Sequence, residues 1–160
     1  MSAGIFATAG SHFYIGQAVA AKTTAWVESD FDTQSWIGVN WMETIGEFGD
    51  EAQSIKFDAI EQQRTIKLKG TFDAGDMQVT CGLDYSDSGQ IAMRAAVELP
   101  NNFAFRIVFN DAPSAGTPSE RLFIGLVMSA REILDGANNV MKLRTTVAIN
   151  SNVVRINAAA

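Results

Sequence analysis

A single cysteine, Cys81, and a single histidine, His12, occur among the 160 residues. One thiol excludes an intrachain disulfide and any cysteine-rich metal site, which suits folding in a reducing compartment. Cys81 is expected on a strand face as a small hydrophobe. His12 has no companion cysteine or second histidine, so a metal site there would need carboxylates gathered from elsewhere. Positive charge is scarce too. Twelve lysines and arginines against 18 acidic residues leave a net charge of −6, and the bases are spread thinly, unlike the clustered cations that displace counterions from phosphate. The longest nearly apolar run, Leu122–Met128, is far short of the ~20 residues that cross a membrane. No basic residue precedes Lys22, and Gly4, Gly10 and Ser11 interrupt the early apolar residues, so no signal peptide is expected.

What is present is apolar content of 47%, enough for a chain of this length to fold around one core as a single domain, 1–160. The expected order begins with an extended N-terminal arm (1–12), a first strand in Phe13–Ala21 and a strand in Trp36–Ile45. A looser, hairpin-like excursion (46–63) follows, with a short apolar alternation at Ile55 and Phe57. In Arg64–Phe72, Ile66, Leu68 and Phe72 point one way, with Gly70 as the gap, and Thr65, Lys67, Lys69 and Thr71 point the other; this predicts a half-buried strand. Asp73-Ala-Gly-Asp76 supplies turn residues for a hairpin into Met77–Asp84. Asp87 as N-cap, Gln90 three residues on and Pro100 as a stop predict a helix over Ser88–Leu99. Its expected core face is Ile91, Ala92, Ala95, Ala96 and Leu99, with Met93 and Val97 outside it. Strands resume at Phe103–Phe109, Arg121–Ser129 and Val140–Asn150, the last alternating Leu143, Thr145, Val147 and Ile149 against Lys142, Arg144 and Thr146. The fold class is therefore mainly β: two packed antiparallel sheets, sandwich or barrel, with one flanking helix.

Catalytic equipment is hard to find. The carboxylate pairs Glu47/Asp50 and Asp84/Asp87 lie in Gly- and Ser-containing turns, where acidic residues serve local hydrogen bonding. Gly46-Glu-Phe-Gly49 is not followed by a helix opening with Lys-Ser/Thr, so it does not form a phosphate cradle, and no G-x-S-x-G, HExxH or CxxC occurs. No enzyme activity, cofactor or small-molecule substrate is expected. The densest positive cluster, Arg64, Lys67 and Lys69, lacks interleaved aromatics on the same face and reads as solvated or paired with acidic residues. Trp26, Trp36 and Trp41 read as core and interface packing. A small-ligand-binding β-barrel, with Phe103, Phe105 and Phe123 lining a pocket, is the alternative from a different functional class.

In order along the chain stand Ile45-Gly-Glu-Phe-Gly-Asp50, Arg64-Thr-Ile-Lys-Leu-Lys-Gly70 with Asp73-Ala-Gly75, and Ser86-Asp-Ser-Gly-Gln90. Phe103-Ala-Phe105 with Val108-Phe109, Phe123–Ser129 and Thr146–Asn150 come after them. In this order they resemble the tail tube (major tail) proteins of long-tailed, non-contractile bacteriophages over residues 36 to 155. The resemblance implies six copies closing into a ring and rings stacking into a hollow tube that conducts double-stranded DNA, in a virion assembled in the bacterial cytoplasm. It implies tape-measure, tail terminator and tail-tip proteins as partners, and no membrane. The excursion and the N-terminal arm would make inter-ring contacts, through Gly46, Glu47, Phe48, Gly49, Asp50, Arg64, Lys67 and Lys69. Glu43, Asp84 and Asp111 are the candidates for acidic channel-facing groups. A related contractile or secretion tube is the near variant of this reading.

Overall fold

The alternating segments become ten strands in a computed structural model that describes residues 4–160. They are β1 (His12–Val19), β2 (Ile37–Val39), β3 (Met42–Thr44), β4 (Glu51–Phe57), β5 (Ile66–Asp73), β6 (Asp76–Gly82), β7 (Asn102–Val108), β8 (Glu120–Ile133), β9 (Lys142–Ile149) and β10 (Val154–Ile156). The helix α1 (Ser88–Val97) lies between β6 and β7. Eight strands form one antiparallel sheet in the order β2-β1-β7-β8-β9-β6-β3, with β10 against the first residues of β8, while β4 and β5 pair only with each other. The mainly β architecture with two antiparallel sheets and one helix is as expected.

The two ends of the large sheet are neighbours in sequence, since only Asn40 and Trp41 separate β2 from β3. Three Cα steps reach about 11 Å, whereas seven strands laid flat span roughly 29 Å, so the sheet curls until its edges approach. Bulges in β1 after Ile15 and in β8 after Val127 help it bend. Inside the curl, Phe13, Phe105 and Phe123 stack at ring separations of 5.7 and 5.4 Å, packed with Ile15, Met77, Val79, Leu143 and Val147. On the outer face, Ala104, Leu122 and Ile124 meet Phe31, Trp26, Trp36 and β10. β7 thus buries both of its faces.

α1 seals the gap between the sheet edges. The Asp87 carboxylate accepts from the Gln90 amide at 3.0 Å and from Asn40 Nδ2 at 2.6 Å, and Gln90 Nε2 donates to the carbonyls of Gly82 and Asn40. Gly89 lies so close to β2 that a Cβ there would stand 2.2 Å from the Gly38 carbonyl oxygen. That approach rotates the helix from its expected orientation. Met93 and Ala96 are buried and Val97 packs on the core, while Ile91, Ala95 and Leu99 face outward. Gly89 on the first turn meets β2, and of the expected core face Ala92 and Ala96 pack inward.

Three other expectations are corrected. Trp36–Ile45 is two strands, broken at Trp41, whose φ of 62° no strand can accommodate. Asp73–Asp76 is a crossing between sheets and not a hairpin, because β5 pairs with β4 while β6 pairs with β9 and β3. β5 is not half-buried: every residue of it except Gly70 is exposed. Of the expected N-terminal arm, residues 1–3 lie outside the described residues, and residues 4–10 are exposed coil.

Candidate assembly surfaces

The excursion after Phe48 is an amphipathic ribbon. Its register places Phe57 opposite Ile66, Ile55 opposite Leu68 and Ala52 opposite Phe72, so these side chains share one face. The other face carries Lys56 opposite Lys67 and Ser54 opposite Lys69. Leu68 is 58% exposed and Phe57 60%, so the apolar face is bare. Residues 54–69 hold four basic and two acidic side chains, against eight basic and sixteen acidic in the rest of the chain. The outer part of the ribbon, residues 54–69, is therefore positively charged, while Glu51 and Asp73 at its root bring the whole ribbon to neutrality.

The residues at the ribbon's root divide into two kinds. Gly46 has φ 87° and sits where a Cβ would stand 2.5 Å from the Gln78 carbonyl oxygen, which holds the chain against β6. Phe48 is half-buried against Phe109 and Phe123, at ring separations of 6.5 and 6.3 Å, and closes one mouth of the curled sheet. Glu47 and Asp50 are exposed, and Gly49, with φ 143°, turns the chain towards β4. Arg64, Lys67 and Lys69 are exposed on the ribbon. The expected contact residues thus belong to one continuous segment, with Phe48 anchored in the core and the others free.

The acidic candidates fall at opposite ends of the sheet. Glu43 pairs with Lys142 at 2.7 Å, and Asp84 lies beside it at the Gly82 end of β6. Asp84 accepts from Ser86 N, Ser86 Oγ and Trp41 Nε1, and the Ser86 hydrogen bonds hold its carboxyl below the usual carboxylate range. Asp111 is at the other end, where Ser119 N and Oγ donate to it at 2.7 and 2.6 Å and lower its pKa likewise. Each carboxylate orders a local turn or cross-strand pair.

Trp41, read from the sequence with Trp26 and Trp36 as core and interface packing, does not join the core. It is 68% exposed, in a left-handed conformation unfavourable for a bulky side chain, and flanked by the exposed Tyr85, Val140 and Met141. Strand order places these residues together: the Gly82 amide donates to the Trp41 carbonyl, and the Leu83 amide to that of Met141. Clustered acidic residues between turn signals concealed the patch in the linear sequence.

Among the described residues the interior of the curl holds no ligand chamber. Phe105 and Phe123 fill the curl instead of lining a cavity. The cleft of about 270 Å³ at the mouth lies outside it, between Phe6, Phe48 and Phe109. Among the described residues no group of His, Cys, Asp and Glu is arranged to hold a metal, and no helix is long and apolar enough to cross a membrane. His12 is exposed beside Tyr14.

The same fold recurs in solved structures. A chain in the anti-feeding prophage (AFP) baseplate superposes over 98% of this chain and 98% of its own, with TM-score 0.66 and 9% identity. A chain in the PVC sheath/tube terminator of an extracellular contractile injection system gives 98%, 99%, 0.64 and 10%. The SPP1 tail tube aligns over 91% of this chain and 77% of its own, with TM-score 0.58 and 13% identity. The chain has a tail-tube fold. No protein-family model matches its sequence, and no curated protein does.

Proposed function

We propose that this chain is the repeating subunit of a hollow tail tube: six copies close into a ring, rings stack, and double-stranded DNA passes along the bore. The observation that carries the reading is the β4–β5 ribbon, whose apolar face nothing among the described residues covers. An isolated two-stranded ribbon is marginal in water, and a bare apolar face marks a contact with another molecule. Short edge strands at β2 and β3 add unpaired borders that neighbours in a ring can complete. Six copies at −6 carry about −36 per ring, and a wall of that sign lets phosphate slide past without sticking over a screening length of about 8 Å.

In this reading Glu43, Asp84 or Asp111 faces the bore, and the ribbon with Glu47, Asp50, Arg64, Lys67 and Lys69 reaches the next ring. Tape-measure, terminator and tip proteins occupy the lumen and the two ends, in a virion assembled in the host cytoplasm. The non-contractile tail is one form. A tube within a contractile apparatus is the second, favoured by likenesses to contractile-system chains as good as that to the SPP1 tail tube.

Electron microscopy of the purified protein tests the proposal. Six-fold rings or hollow filaments are expected. A protein that stays monomeric at millimolar concentration overturns it.

A further inference from the structure

We infer that the apolar face of the β4–β5 ribbon docks on the Trp41 patch of a second copy of this chain, the contact being head to tail. This rests on the tube reading and names the acceptor surface within it. The ribbon is rooted at the end of the curled sheet where β6 begins, since Asp73 closes β5 and Asp76 opens β6. Trp41 lies at the other end of β6, beside Gly82. The two apolar surfaces of one molecule are therefore about 20 Å apart along a seven-residue strand, and both are bare. In copies stacked end to end, the root of one ribbon meets the Trp41 end of the next.

Three observations select a second copy as the occupant. The donor and acceptor faces differ, so the contact is heterologous and repeats without closing along the stack, which is what a filament requires. Charge favours it, because the outer part of the ribbon, with four basic and two acidic side chains in residues 54–69, meets a chain that elsewhere has twice as many acidic as basic side chains, and at the patch Asp84 accepts only from neutral donors. Lys56 stands directly opposite Lys67, a repulsion that destabilises the lone ribbon and is relieved by carboxylates from outside it. Trp41 also has the character of an interface anchor: the largest side chain, 68% exposed, with a carboxylate at its rim.

Two variants and one spectroscopic readout test the docking. Trp41→Asn suits the left-handed backbone better than tryptophan, so it is expected to fold with an unchanged or higher melting temperature. Its elongation is expected to need about tenfold more protein or worse, the loss typical of one anchor aromatic. Leu68→Ser on the ribbon should match it, and the double variant should be no worse than either alone. Trp26 and Trp36 are half-buried around Phe31, so Trp41 dominates quenching by acrylamide. Assembly of the unaltered protein should shift tryptophan emission to the blue and remove that quenching. Filaments in which Trp41 stays quenchable, or which form equally well from Trp41→Asn, overturn the docking and leave the tube reading standing. An unaltered protein that never assembles overturns both.

Discussion

Cys81 shows how far single residues decide behaviour here. Its sulfur is buried between β3 and β9, 3.6 Å from the Leu143 carbonyl oxygen, and burial pushes the thiol from 9.0 to about 11. The native protein should resist thiol reagents at pH 8 and react only after unfolding, as a thiol titration with and without denaturant would show. The unfolded chain releases the Cys81 proton near 9 while the folded one keeps it to about 11, so this group lowers stability as pH rises through that window and has no effect below it. Replacement by Ser should flatten that slope in denaturant titrations between pH 8 and 11. Cysteine count and strand alternation already placed this side chain on an apolar face. The strain at Trp41 was not legible, because a positive φ in a tryptophan arises from joining the two sheet edges and leaves no compositional mark.

At the scale of elements, α1 and the ribbon behave in opposite ways. The helix was legible at both ends: Asp87 and Gln90 cap its start, and Pro100 follows its stop. Its rotation was not, because helical periodicity alone allowed either an alanine stripe or a Met93–Ala96 face towards the core. Backbone proximity at Gly89 chose the second. Gly89→Ala should therefore cost about 2 kcal/mol or more in chemical denaturation, since the methyl has no room against Gly38 and must displace the helix. An Ala95→Ser change on the exposed side should cost little. The ribbon contributes no core residue between Val39 and Met77, so replacing residues 52–72 by a short Gly-Ser linker should leave the thermal unfolding midpoint within a few degrees while abolishing filament formation in micrographs. Extending that replacement back to residue 47 would also remove Phe48 and expose Phe109 and Phe123. A clear loss of stability is then expected, separating the root's packing role from the ribbon's role in assembly.

For the whole molecule, the distribution of charge sets how copies meet. In the proposed stacking the basic outer part of the ribbon (54–69) approaches an acidic body, so in stopped-flow light scattering the initial rate of filament growth should fall several-fold between 50 and 500 mM salt. Filaments already formed should persist, because the buried contact is apolar. The amino-acid sequence by itself determined the β class, the helix and its caps and the inward face of β9, since each follows from alternation or capping within a short window. Tertiary structure alone decided that the sheet curls until β2 and β3 almost touch, that the Asp73–Asp76 turn crosses between sheets, and that Ile66, Leu68 and Phe72 meet solvent. Alternation reports that a strand has an apolar face; it carries no information about what covers that face. The ribbon's pattern is the same whether its cover is its own core or a neighbour, and only the tertiary structure shows that the core is packed without it.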